Sequence, residues 1–528
     1  MATTTWIAGS GDWNTASNWS GGVPTAADDA VFADNKASGG TYTVTGDGLA
    51  ASLTITPDPG VSEPFFAGAL AVGRFVDDAV FAHLAGTAAL ASTSATIAAG
   101  ARFEVQAGAT LGSGTLALDD GILTGTLGVL ANPVVLAGSN SVTATGTLAG
   151  AITGTGLLKV TGNVVLTNPG NTYSGGTVLG PASIIDVGGV NQLNHLEIAT
   201  PGAAGTGPVA ALGGTLTLDR GVVVPSVTAA FLYTTEIDAT DQTTTVFAGQ
   251  MPLAYNNGAG HATIVGAIQP GLPFTDEGPS IFGSMTVQGG TGSVTVFGGN
   301  STSLLYGGTA GGNVLIAGAD LSAYPSGEVA RGFVKGPDFV AYAPGGSTLF
   351  AGGGNDLLVA SGTDNNGFNT LLAAGGSETL TGAGSTGRNL FFGGTGADVI
   401  VAGGGASTVV AGPGAATISG GSGAAAIFAG AGSAVVLGGS GADYVQAGAG
   451  NATLFAGAGM DIVGVVSGQA GGSLVVSGFR AGIDRVSAQG YAAGPVVASG
   501  GGSTVLTFSD QTRVTLLGVA SLPGGVAS

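Results

Sequence analysis

The sequence predicts an all-β protein, a parallel β-solenoid (an N-terminal β-helix followed by a nonapeptide β-roll) with capping elements at both ends. Three observations point there. Glycine supplies 103 of the 528 residues, far above the usual 7% or so. Only 8% of residues are charged while 44% are hydrophobic, too many apolar side chains for a disordered Gly/Ser linker. Residues 393–464 also divide into eight consecutive nonapeptides without an insertion: GGTGADVIV, AGGGASTVV, AGPGAATIS, GGSGAAAIF, AGAGSAVVL, GGSGADYVQ, AGAGNATLF and AGAGMDIVG. A fixed period of this kind marks stacked repeats.

The elements follow in chain order. Residues 1–60 hold all three tryptophans, Trp6, Trp13 and Trp19, and form an N-terminal cap with the first strands, since a solenoid must cover its terminal rung. A sugar-stacking platform is the alternative reading of these rings. Residues 61–190 are a parallel β-helix; "SATIAAGARFEVQAGATLGSGTLALDDGILTG" (94–125) sets apolar residues two apart between glycine turns. Residues 191–284, with more Pro and aromatic residues, are a β-rich junction or insert.

Residues 285–465 are the nonapeptide roll. Positions 2 and 4 are Gly in all eight copies from Gly393, and position 8 is Ile400, Val409, Ile418, Ile427, Val436, Val445, Leu454 or Val463. Glycines allow a tight turn, and one inward aliphatic suits a three-residue strand. Each nonapeptide is therefore a turn plus a strand, and two nonapeptides make one coil. "ADLSAYPSGEVARGFVKGPDF" (318–338) and "SGTDNNGF" interrupt the array and are expected to loop out. Residues 466–528 are the C-terminal cap, where "STVLTFSDQTRVTLLGV" reads as a hairpin with Leu506 and Phe508 facing Val514 and Leu516.

Composition excludes several functions. Acid exceeds base by 31 to 11 for a net charge of −20, with Lys only at 36, 159 and 335, so nucleic acid is not an expected partner. The absence of Cys removes disulfides, Cys-ligated zinc and thiol catalysis. The uncharged stretch between Asp398 and Asp443 is too glycine-broken for a membrane span. The start, "MATTTWIAGSGDWNTASNW", has neither the basic nor the apolar region of a cleaved export signal. His83, His195 and His261 are scattered, and Asp28–Asp29 and Asp119–Asp120 read as turn and cap residues. No catalytic residue is assigned.

The nonapeptides resemble the repeat-in-toxin family, whose GGxGxDxUx pattern forms a calcium-binding parallel β-roll. That resemblance implies Ca2+ as cofactor and type I secretion through an uncleaved C-terminal signal within 466–528. "SGFRAGIDRVSAQGY" (477–491) looks like the region after such repeats in secreted alphaproteobacterial proteins, matching at Gly478, Phe479, Asp484, Gly490 and Tyr491, with Ser487 where an acid is common. "WIAGSGDWNTASNWSGGVPTAADDAVF" (6–32) resembles the opening of large bacterial β-helix surface proteins. "KVTGNVVLTNPGNTYSGGTVL" (159–179) is similar to an autotransporter passenger repeat.

Adjacent coils lie about 4.7–4.9 Å apart and calcium–oxygen bonds are about 2.3–2.6 Å, so an ion between stacked turns reaches both. Asp443 and Asp461 are two nonapeptides apart, one full coil, and form the clean pair. Backbone carbonyls of Gly438, Ser440, Gly441, Gly457 and Gly459 are expected to complete the shell. Asp398 is expected to stack on Ala416, and Asp356 to lack a partner at Ala374; these are the lesser candidates. Solvated turn residues without metal are the alternative reading of Asp443 and Asp461. The function expected is a secreted, non-enzymatic structural or surface protein of surface-layer, matrix or adhesin type, meeting itself, a cell surface or a polysaccharide. The alternative is a polysaccharide lyase or epimerase on a β-helix with a stabilising β-roll.

Overall fold

Short strands, each closed by a glycine turn, pair in parallel with the strand of the next coil, and this makes the chain a parallel β-solenoid. The computed structural model describes residues 1–32, 40–56, 62–78, 81–85, 88–180, 194–219, 222, 224, 226–229, 235–239, 244–247, 253–265, 285–297, 303–317, 346–360, 368–522 and 526. The insertion expected at 318–338 lies outside those residues, as does the one expected at 361–368 except for Phe368, which opens the strand Phe368–Leu372. Among the described residues there is no α-helix, only a 3-10 turn at Ala16–Asn18. Contacts divide the chain into Met1–Val246 and Phe247–Ser528.

In the first unit, one parallel ladder runs Thr3–Thr5, Asp29–Phe32, Gly48–Ile55, Ala69–Asp77, Ala89–Ile97, Thr115–Asp119, Val134–Ala137 and Ile152–Gly154. A second passes through Arg102–Val105, Ile122–Leu130, Ser139–Leu148 and Leu157–Leu166. It continues to His195–Ile198 and Gly214–Leu218. Alternation turns Leu116, Leu118, Leu123, Val142, Val160 and Leu166 into the core. Residues 159–179 contribute to that interior: Asn171 and Tyr173 are buried, and Asn171 Oδ1 accepts the Ile152 N–H at 2.8 Å.

The tryptophans close the first coil from within. Trp6, Trp13 and Trp19 are 2%, 0% and 3% exposed. Trp19 lies edge-on to Trp13 (4.8 Å) and to Trp6 (5.0 Å), and Trp6 stacks on Phe32. Trp19 Nε1 donates to the Trp13 carbonyl at 2.7 Å. Rings so covered offer no face to a sugar, and the platform reading falls.

The second unit has two facing ladders. One inner column is Leu305, Leu349, Leu371, Phe391, Val409, Ile427, Val445 and Val463; the other is Leu315, Leu358, Leu380, Ile400, Ile418, Val436, Leu454 and Val476. All are 0% exposed. At about 1.5–3 kcal/mol for each buried aliphatic, these columns are the main cohesive force of the unit. The coil of two nonapeptides holds: Ile400 pairs with Ile418 and Val409 with Ile427.

Position 4 is glycine for a reason beyond turn geometry. A Cβ on Gly441 would overlap the Gly423 carbonyl oxygen, and one on Gly459 the Gly441 carbonyl oxygen. At the end of the unit Arg513–Leu516 pairs in parallel with Ser473–Ser477 and antiparallel with Ser503–Thr507, setting Leu506 opposite Val514. Val496–Gly500 adds a third antiparallel strand.

Candidate metal centre

The sixth residue of each nonapeptide lies two before the inward aliphatic, so strand alternation turns it inward as well. Stacking makes two columns of these positions. One reads Asn313, Asp356, Glu378, Asp398, Ala416, Ala434 and Ala452. The other reads Ser303, Ser347, Asn369, Asn389, Ser407, Ala425, Asp443, Asp461 and Asp484. The six acids are between 1% and 4% exposed, which removes the solvated-turn reading.

Buried carboxylates must be hydrogen-bonded, and the turns supply the donors. One oxygen accepts the N–H four residues back: Gly352 for Asp356 (2.8 Å), Gly394 for Asp398 (2.6 Å), Gly457 for Asp461 (2.8 Å) and Arg480 for Asp484 (2.7 Å). The other accepts the N–H of the stacked residue in the preceding coil: Asn313, Glu378, Asp443 and Asp461 respectively, at 2.8–3.2 Å. Each carboxylate thus sits in a nest of amides and ties its own turn to the coil above.

Two acids depart from the scheme. Asp443 Oδ1 accepts the Ala425 N–H at 2.8 Å, but Oδ2 is buried with no partner. Gly439, four residues back, has φ +83°, and its amide does not cap the carboxylate. Burial pushes Asp443 up to about 6; the Ala425 amide works against the shift and the Asp461 charge adds to it. In the other column Glu378 Oε1 accepts the Gly376 N–H at 2.9 Å while Oε2 is buried without a partner. Glu378 is pushed up by burial first and then by Asp398.

The structure revises the expected pairings. Asp356 does have a stacked partner, Glu378, because the coil between them is longer than two nonapeptides. Asp398 stacks on Ala416 as expected, and on its other side on Glu378. Asp443 and Asp461 stack as expected, and Asp484 extends their column. Gly438 lies beside Asp443 Oδ2. The Gly457 amide holds Asp461, and the Gly459 carbonyl accepts from Arg480 Nη2.

A family model for the RTX calcium-binding nonapeptide repeat (4 copies) matches residues 373–409, 383–418, 392–425 and 428–463. The repeats within residues 373–463 are RTX nonapeptides. No curated protein and no solved structure matches the chain. RTX nonapeptide repeats bind calcium, which takes six to eight oxygen ligands. The donor set of this RTX array fits in kind: it is all-oxygen, buried, and includes the unpaired Asp443 Oδ2. Among the described residues no group of three His, Cys, Asp or Glu side chains is placed to hold a metal ion, so backbone carbonyls must make up most of any shell. Asp443 and Asp461, with carbonyls of their turns, are the residues that would hold the ion.

Sequence reasoning missed one further cluster, in the first unit. His83 is 5% exposed. Its Nδ1 pairs with Glu104 Oε2 and its Nε2 lies 3.3 Å from Glu63 Oε2. Phe65 stacks on the imidazole and Phe81 meets it edge-on, with the Arg102 guanidinium 4.6 Å over Phe81. Glu63, His83 and Glu104 are 20 and 21 residues apart, one coil each, and only the coil length reveals the cluster.

Proposed function

We propose that this is an extracellular, non-enzymatic structural or surface protein of the surface-layer, matrix or adhesin type, built on a partly degenerate calcium-binding β-roll. The observation that carries the reading is the outer face of the RTX region. Leu357, Thr379, Val399, Thr417, Val435, Thr453, Val475 and Thr515 stack in one uncharged ladder, while the acids of the same coils are turned inward. On a chain of net charge −20, a charge-free ladder is where a second copy or a neutral polysaccharide approaches without repulsion. Calcium between the turns of Asp443 and Asp461 tightens the coils that present this face.

Export by the type I route belongs to the same proposal, supported by the RTX repeats and by the resemblance of 477–491 to the tails of secreted proteins of alphaproteobacterial type. The surface-protein and passenger resemblances of 6–32 and 159–179 support an extracellular β-helix. Among the described residues no helix is long and apolar enough to cross a membrane.

The test is assembly. Purified protein given millimolar calcium is expected to form sheets or filaments by electron microscopy, or to sediment with cell envelopes or insoluble polysaccharide. A chain that stays monodisperse and binds neither overturns the proposal.

The His83 cluster favours a second reading, a polysaccharide lyase or epimerase, because it gathers acids, a base and aromatic rings on one coil face. The imidazole is covered, however, and a general base must reach its substrate. Depolymerisation of an acidic polysaccharide that is lost in His83→Ala would put this reading first.

A further inference from the structure

The acidic column Asp443–Asp461–Asp484 ends in an arginine placed where the repeat has glycine. In the turns above, the residue four before the acid is Gly439 or Gly457; before Asp484 it is Arg480. Its backbone does the same work as Gly457, donating N–H to Asp484 Oδ2 at 2.7 Å. Its side chain enters the gap between the last two turns. Nη1 donates to the Ala458 carbonyl at 2.8 Å and Nη2 to the Gly459 carbonyl. Nη2 also reaches Asp484 Oδ1 at 2.9 Å and Nε reaches Oδ2 at 3.3 Å. One cation thus holds two carbonyls of the upper turn and both carboxylate oxygens of the lower one.

We infer that Arg480 is a tethered cation occupying the last inter-turn site of this column, so that the final gap closes without calcium. By the repeat register, Ala458, Gly459 and Asp484 correspond one coil earlier to Ser440, Gly441 and Asp461. There Gly457 replaces the arginine and leaves the gap to a diffusible ion. The inference rests on the calcium reading of Asp443 and Asp461 for its comparison gap, though not for the contacts of Arg480 themselves. Charge balance agrees: three carboxylates carry −3, which one Ca2+ and one guanidinium neutralise. A guanidinium is permanently charged and needs no free ion, so the coil next to the C-terminal hairpins is locked at any calcium level.

The experiment counts ions per chain on the full-length protein, by equilibrium dialysis with radioactive calcium, with circular dichroism in calcium and in EDTA. Arg480→Gly restores the repeat residue and is expected to bind one more calcium than the parent. Arg480→Lys keeps a positive charge and is expected to bind the parental number. Arg480→Gly with Asp484→Ala is expected to lose the added ion. A variant Arg480→Gly that folds only with calcium supports the inference, because the metal has taken the place of the side chain. An unchanged count in Arg480→Gly, or failure to fold with and without calcium, overturns it. The calcium reading itself is judged on Asp443→Ala in the Arg480 background: normal uptake there removes that reading while leaving an ion gained by Arg480→Gly to stand.

Discussion

The two inward columns of the second unit use the same repeat position on opposite sides of the coil, and their acids lie at opposite ends. One has Asp356, Glu378 and Asp398 and then alanines; the other has Asn369, Asn389 and Ser407 and then Asp443, Asp461 and Asp484. Among the described residues no coil carries an acid on both sides. Where Asp398 stands, its counterpart is Asn389; where Asp443 stands, it is Ala452. Like charges inside a low-dielectric core repel strongly, and this staggering keeps each coil to a single buried carboxylate. The middle coils, with Ser407, Ala416, Ala425 and Ala434, carry none, and hold together by aliphatic packing and backbone pairing alone.

The sharpest way to break this contrast is to charge the middle. Ala434→Asp inserts a carboxylate into a coil without a matched cation, and is expected to cost on the order of 3 kcal/mol. Urea denaturation in EDTA reads it; an unchanged midpoint would mean that any sixth position accepts an acid.

Chelation comes next. Calcium at about 100 times its dissociation constant adds about 2.7 kcal/mol to whatever it binds, so its removal should loosen the coils of Asp443 and Asp461. Amides of 399–437 should remain protected from hydrogen exchange in EDTA, while those of 438–466 exchange faster than with calcium. Asp443→Ala should remove that difference. Equal loss of protection across both stretches would show that metal gates the whole roll.

The smallest effect is in pH. In chelator Asp443 is raised to about 6 in the folded chain against an ordinary 3.9 or so. Between those values the folded state holds more protons than the unfolded one. Stability therefore falls as pH rises from about 4 to about 6, by about 2 kcal/mol. Asp443 faces Asp461 and the Ala425 amide, and among the described residues no cation there offsets the trend. Asp443→Asn is expected to flatten this decline; Glu378 contributes a slope of the same sign from the other column, which Glu378→Gln subtracts. A parental slope in Asp443→Asn would place the titration elsewhere.

The solenoid was legible because every copy repeats glycine at positions 2 and 4 and an aliphatic at position 8, and these three set turn, close approach and core. The Asp443–Asp461 pair was legible from its spacing of two nonapeptides. The longer coils hid the rest: Glu378 follows Asp356, and Asp484 follows Asp461, by more than two nonapeptides, so a fixed period steps past both. A different signal finds them. An acid or amide two residues before an inward aliphatic or aromatic recurs as Asp356–Leu358, Glu378–Leu380, Asn389–Phe391, Asp398–Ile400, Asp461–Val463 and Asp484–Val486. Strand alternation explains it, since both members face the core. The His83 cluster had no such marker, because its members sit on the outward side of irregular coils.

The unbroken period from Gly393 to Gly464 makes length in this unit a digital quantity. Removing residues 411–428 takes out one whole coil, shortens the stack by about 4.8 Å and leaves Asp443 above Asp461 on its own side. Removing only residues 420–428 is a half-turn. Every later residue would then change sides, bringing Asp443 into line with Asp398 and carrying Arg480 and the hairpins' docking strand across together. The roll can therefore grow or shrink by duplication of paired nonapeptides without redesign, while the gain or loss of a single one reverses its polarity of charge.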